Sequence, residues 1–215
     1  MFKLYWRYLT LKWLVLYRTI FSLTLYFGDK IYFMCRTPSL WPWRPTINIT
    51  DLTGFVKNRD VQVLFLVSCI SGQEIREVAR VQIIMDWIRD NIKYKDDVGE
   101  YWQTPAETFD AESGDCEDMA ILLYEMARNA GVVADNLRIV AAEMNDGGQH
   151  CFVTYLCPIK KYWIRLDPAM WPNVNISLMT DYNDDTTIKY VLFSFNENMA
   201  GWCDICGRDI LWDRR

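Results

Sequence analysis

The chain of 215 residues has one histidine, His150, so any chemistry that needs an imidazole has a single address. It has no excess of positive charge: 23 Lys and Arg stand against 28 Asp and Glu, a net charge of −5. That balance gives no pull toward a phosphate backbone, and nucleic acid is not an expected partner. It also lacks a long uncharged apolar run. Near the N-terminus the longest, Thr19 to Phe27, is well short of the roughly 20 residues that a membrane-spanning helix requires. No small-residue cleavage site follows it, so secretion is not expected. The cysteines at 35, 69, 116, 151, 157, 203 and 206 are odd in number, which rules out complete pairing within the chain and points to a reducing, intracellular setting. No internal repeat and no low-complexity tract is visible.

What is present is a globular composition, 51% hydrophobic and 24% charged. Residues 1 to 34 are aromatic, aliphatic and basic, with no acid before Asp29. On a helix, Lys3, Arg7 and Arg18 share one side while Trp6, Leu9, Trp13, Leu16 and Ile20 lie mostly opposite, the layout of a segment that docks to a membrane surface, a protein partner or its own domain. TPSLWPWRPT (37 to 46) carries Pro38, Pro42 and Pro45 and reads as an extended linker. The expected organisation is an extension with linker over 1–45, a main domain over 46–195, and a tail over 196–215.

Within the main domain, apolar residues at 78, 81, 85, 88 and 92 mark a helix with one buried stripe. After a loop with Gly99 and Pro105, apolar residues from Met119 to Ala130 mark a second amphipathic helix, begun by Asp115 as N-cap and stopped at Gly131. The runs 136–144, 149–157, 162–170 and 188–195 read as strands, the first three joined as two hairpins. A hairpin loop at 158–161 sets Cys157 opposite Tyr162 and His150 opposite Ala169, so Asp167 lies two positions away on the face of His150.

Cys116 is the first helical residue after Asp115, with Glu117 and Asp118 beside it in the first turn. The helix dipole favours a thiolate by about 0.3–1 kcal/mol, less than the roughly 1.4 kcal/mol of one pKa unit, and three nearby carboxylates offset it. A reactive thiol here needs a cation, and His150 oriented by Asp167 supplies one. Alone, a cysteine on a helix reads as a small core residue. The conjunction of a capped helix carrying Cys, a strand opening with His and a strand ending in Asp-Pro favours a site.

WQTPAETFDAESGDCEDMAILLYEMARNAGV, GGQHCFVTY and YWIRLDPAMW together resemble the transglutaminase-like superfamily, including its bacterial cysteine proteinase branch with a papain-like Cys, His, Asp order. The resemblance runs from about Ile75 to Trp171. It implies an α+β fold in which a central helix with the nucleophile at its N-terminus packs on an antiparallel sheet carrying His and Asp. It implies Cys116 as nucleophile, His150 as general base and then acid, and Asp167 as the group that fixes the imidazole. Trp102 with Gln103 beside it matches the family's oxyanion-hole position, the second donor being the Cys116 N–H. Some members bind calcium through acids matched by Asp115 and Glu117, though no cofactor is required.

The sequence departs from many relatives in having Cys151 and Phe152 directly after the histidine. Cys151 is expected to point away from the face of His150 and not to compete as nucleophile. Cys203 and Cys206, at C-x-x-C spacing, form half a zinc knuckle or a redox pair; a packed tail with free thiols is favoured over zinc. The implied chemistry is acyl transfer through a thioester on a protein or peptide substrate. Water as acceptor makes a peptidase or amidase, the favoured reading. A lysine amine makes a crosslinking transglutaminase. The alternative from another class is a catalytically silent module of a homo- or hetero-oligomeric assembly such as a phage virion, which would place the chain in a virion instead of the cytoplasm.

Overall fold

The computed structural model describes residues 53, 56, 60–72, 74, 76–96, 101–170 and 175–202. The expected N-terminal docking helix, the proline-rich linker and the Cys203/Cys206 pair lie outside these residues.

Among the described residues, three helices precede the one that begins at Cys116. Helix α1 (Val61–Ser71) starts because the Asp60 side chain accepts from the Gln62 and Val63 N–H groups at 2.7 and 3.3 Å, satisfying donors that a helix start leaves open. Helix α2 (Glu77–Asn91) buries Val81, Ile84, Met85 and Ile88, the stripe expected from the sequence. Helix α3 (Pro105–Ala111) falls where a loop was expected. Pro105 is not a breaker here: it occupies the first turn, where its missing N–H costs nothing, and Thr104 with Glu107 closes a capping box. Between these elements, β1 (Lys93–Tyr94) and β2 (Ser113–Gly114) form a short parallel pair that leads the chain directly into the next helix.

Helix α4 (Cys116–Asn129) is the centre of the domain. The sequence suggested one apolar face; instead every residue from Glu117 to Ala127 is buried. Ile121, Leu122, Leu123 and Met126 are fully enclosed, each worth roughly 1.5–3 kcal/mol of burial. The polar groups on this helix are satisfied inside the protein: Glu125 accepts from the Asp60 N–H at 2.7 Å, and Tyr124 Oη from the Glu197 N–H at 3.1 Å. Gly131, at φ +93°, lets the chain turn out of the helix.

The remaining strands, β3 (Leu137–Met144), β4 (Gln149–Leu156), β5 (Trp163–Leu166), β6 (Ile188–Phe195) and β7 (Ala200–Trp202), form an antiparallel sheet in the order β5-β4-β3-β6-β7. The register of β4 with β5, Thr154 opposite Arg165 and Leu156 opposite Trp163, is the one expected from the hairpin loop. Strand β5 is shorter than the run 162–170 suggested. Pro168 has no N–H to give the ladder, and the Asp167 side chain accepts the Met170 N–H at 2.9 Å, turning the chain away. Along β4, Tyr155 reaches Glu77 of α2, so Cys151, Val153 and Tyr155 face the helices; His150 and Phe152 face the other side, where Phe152 packs with Val140, Ala142 and Met144. Among the described residues no helix is long and apolar enough to cross a membrane.

Candidate active site

Cys116 begins α4, and its sulfur reaches β4 at the N–H of Cys151, the residue after His150. Strand β5 has already ended at Leu166, opposite Val153, so this end of β4 has no ladder partner on that side among the described residues. The thiol itself donates to Glu117 Oε2 at 3.2 Å. Burial, then the charge and hydrogen bond of Glu117, raise the Cys116 thiol far above its ordinary value, and the Cys151 N–H opposes this only in part. The resting sulfur is therefore a protonated thiol. Glu117 is in turn pushed up to about 8, by burial first and then by its hydrogen bond and charge interaction with Asp115. Cys151 lies on the helix-facing side of β4, opposite in direction to His150 as expected, and full burial holds its thiol well above the ordinary range.

His150 and Asp167 are brought together: Nε2 lies 2.7 Å from Asp167 Oδ2. Asp167 is fully buried. Burial works against its ionisation, but the His150 hydrogen bond, the charges of His150 and Arg165 and the Met170 N–H outweigh it and hold the carboxyl below its usual value. An ionised Asp167 can only accept, so Nε2 donates to it, and in the neutral ring Nδ1 is the acceptor. The ring sits 6.2 Å from that of Phe152, on the same face of β4. No hydrogen bond joins the Cys116 sulfur to the ring among the described contacts; the sulfur is turned to Glu117 instead.

The loop before α3 completes the surroundings. Trp102 stacks on Phe193 and Phe195 of β6 at 6.2 and 6.1 Å between ring centroids, which fixes its position over the helix-facing side of the sheet. The Gln103 N–H donates to Asp118 Oδ1 at 2.7 Å and is thereby committed, so any oxyanion donor from Gln103 comes from its side chain. Gln103 Oε1 is buried without a hydrogen-bond partner. The other Asp118 oxygen takes the Asp115 N–H at 3.3 Å, so one fully buried carboxylate ties the Trp102–Gln103 loop to the start of α4. Gly114 is required for this: a Cβ there would stand 2.6 Å from Asp118 Cβ. Tyr94, on β1 beside β2, is also close; burial and then the charge of Cys116 push its hydroxyl up to about 12. Sequence reasoning did not single out Tyr94, Asp118 or Arg165. The spacing of Gly114 to Asp118 around a helix start was the available signal for Asp118, and the alternation that placed Asp167 beside His150 also places Arg165 on that face.

For a metal, Asp115 and Glu117 supply two carboxylates, and Asp115 Oδ1 is buried with no hydrogen-bond partner. Calcium takes six to eight oxygens. Among the described residues there is no cluster of three or more His, Cys, Asp or Glu side chains suited to a metal ion. The pair fits part of a calcium shell, with backbone carbonyls and water needed for the rest.

Residues 66–168 match the model of the transglutaminase-like superfamily. No curated protein matches the chain in sequence. Among solved structures, EGTA-treated LapG of Legionella pneumophila is 20% identical, with a TM-score of 0.54, covering 77% of this chain and 91% of its own. Calcium-bound LapG of the same organism is 20% identical at a TM-score of 0.48, covering 78% and 96%. A candidate cysteine protease from Cytophaga hutchinsonii is 18% identical at a TM-score of 0.45, covering 74% of this chain and 56% of that one. At such identities the likeness is one of fold: a helix packed on an antiparallel sheet, as this chain shows. Residues 66–168 thus carry a transglutaminase-like domain.

Proposed function

We propose that residues 46–195 form a cysteine-dependent acyl-transfer enzyme that hydrolyses amide bonds of proteins or peptides, with Cys116 as nucleophile, His150 as base and acid, and Asp167 as the group that orients the ring. The observation that carries this reading is the 2.7 Å contact from His150 Nε2 to Asp167 Oδ2. It leaves Nδ1 free of Asp167 as the ring's proton acceptor, and the Cys116 sulfur lies near the N–H of Cys151, the next residue of the same strand.

In the proposed cycle the Cys116 thiol leaves Glu117 and gives its proton to His150 Nδ1, and the thiolate attacks the amide carbonyl. The tetrahedral oxyanion takes hydrogen bonds from the Cys116 N–H and from a side-chain donor of Trp102 or Gln103. The imidazolium then protonates the leaving amine, and the C–N bond breaks to leave a thioester on Cys116. Water, losing a proton to His150, cleaves the thioester and restores the thiol. Leaving Glu117 is the costly part, because the carboxylate-rich helix start favours the neutral thiol. An imidazolium oriented by Asp167 offsets that cost.

Calcium-bound LapG suggests the same ion here. Asp115 and Glu117 would hold it, and it would supply positive charge that keeps both carboxylates ionised. That would draw Glu117 away from the thiol proton.

The test is to incubate the full-length chain with a glutamine-rich protein and a fluorescent primary amine, with and without calcium, and follow both fragment release and fluorescence on the protein. Hydrolysis predicts new fragments that disappear in Cys116→Ala. Amine incorporation without cleavage would reassign the acceptor from water to lysine, and neither product would overturn the enzymatic reading.

A further inference from the structure

Asp167 Oδ2 is not shared with His150 alone. Arg165, two residues earlier and 3% exposed, donates to the same oxygen through Nε at 3.0 Å and Nη2 at 2.6 Å. Its third nitrogen, Nη1, donates to Asp185 Oδ2 and Thr187 Oγ1, both at 3.0 Å. Its Cζ lies 4.3 Å over the ring of Phe152, the ring that also neighbours His150. Asp185 is itself prepared for this: its Oδ1 accepts from the Thr187 N–H and hydroxyl at 2.9 and 2.6 Å, which turns Oδ2 toward the guanidinium. A planar fork held by carboxylates at both ends and packed on an aromatic face has little freedom.

We propose that Arg165 is a positioning residue that holds the Asp167 carboxylate in line with His150, and that Asp185 governs how much of the Arg165 positive charge reaches the imidazole. The inference rests on the reading of His150 and Asp167 as the site's proton-handling pair. Its physical content is a balance along one line of groups. Asp167 favours a protonated ring, Arg165 opposes it from behind the shared oxygen, and Asp185 neutralises part of Arg165. The segment before β6, which supplies Asp185 and Thr187 and packs Tyr182 on Phe152, is thereby linked to the basicity of the site.

Other charged and titratable groups flank this end of the sheet. Helix α4 brings Cys116 and Glu117, preceded by Asp115, and all three act on Cys151 next to His150. Strand β1 brings Tyr94. Strand β3 brings Glu143, which Lys189 of β6 neutralises at 2.6 Å. None of these contacts Arg165 in the described hydrogen bonds, so the Arg165–Asp185 pair can be varied separately.

Because His150 is the only histidine, its ring protons titrate in an NMR spectrum of the full-length chain without assignment and without substrate. Removing the cation in Arg165→Gln is expected to raise the His150 midpoint by roughly half a pH unit or more, and removing the distal anion in Asp185→Asn to lower it by a similar amount. Arg165→Lys keeps the charge but loses the fork, so its midpoint should stay nearer to wild type than that of Arg165→Gln. Structural damage alone predicts that both neutral variants move the midpoint in the same direction. Two shifts of the same sign, or none, would overturn the proposal. If Arg165→Gln does not fold, Asp185→Asn carries the test by itself. The measurement reads no catalysis, so opposite shifts in a chain that turns over no substrate would retain this inference while the enzymatic reading fell.

Discussion

Asp118 is the group whose loss should be felt most in the architecture of the site. Its carboxylate takes the Gln103 N–H at 2.7 Å and the Asp115 N–H at 3.3 Å while fully buried. A hydrogen bond to a charged acceptor contributes about 1.5–3 kcal/mol, and a buried N–H left unpaired costs about 1–3 kcal/mol. Asp118→Asn keeps one acceptor and turns an amide donor toward the other N–H, so it should lose about 2–3 kcal/mol. Asp118→Ala leaves both donors open and should lose up to about 5 kcal/mol. Urea unfolding followed by tryptophan fluorescence measures the stability, and hydrogen exchange at the Gln103 amide measures the local release. With Asn the exchange should accelerate by roughly 100-fold, the equivalent of about 2.7 kcal/mol. An Asn variant within about 0.5 kcal/mol of wild type, with Gln103 still protected, would refute the claim that this carboxylate ties the loop to the helix.

Gly114→Ala should destabilise by about 2–4 kcal/mol in the same urea experiment, because the new Cβ would lie 2.6 Å from Asp118 Cβ and 2.8 Å from its Oδ2. A folded Ala variant of unchanged stability would show that the helix start has room that the geometry denies. The ionised Asp167 contributes stability that is fully present above the unfolded carboxylate range near 3.9 and is lost as pH falls through its lower folded value. Wild type should thus lose more stability than Asp167→Asn between pH 5 and 2, as read by urea midpoints at each pH. Glu117→Gln should speed iodoacetamide alkylation of Cys116 several-fold above pH 8, where Glu117, held up to about 8, is ionised and repels a thiolate. Equal rates for wild type and variant would mean that Glu117 does not govern the thiol.

Much of this fold is legible in the sequence because its helices and strands follow simple periods. The stripe of α2, the Asp115 start and Gly131 stop of α4, and the β4–β5 register are all local consequences of spacing and turn length. The register matters most, since a one-residue slip would separate His150 from Asp167. Where reading failed, a local signal was outweighed by its context. Pro105 looked like a breaker until Thr104 and Glu107 were seen to cap a helix around it. Helix α4 looked amphipathic because Glu117, Asp118 and Glu125 are charged, yet all three are buried and engaged. Arg165 and Asp185 are twenty residues apart, and nothing local announces that the first lies between the second and Asp167. The direction of the Cys116 thiol toward Glu117 was also beyond sequence, since it depends on a side-chain torsion and not on spacing.

The central claim is that Cys116 is activated by His150, and limiting iodoacetamide with mass-spectrometric mapping tests it most directly. The account predicts that Cys116 is alkylated ahead of the other six thiols of the full-length chain near neutral pH, and that His150→Ala abolishes this preference. Uniform labelling of the accessible cysteines, or a preference for Cys116 that survives loss of the imidazole, would contradict it.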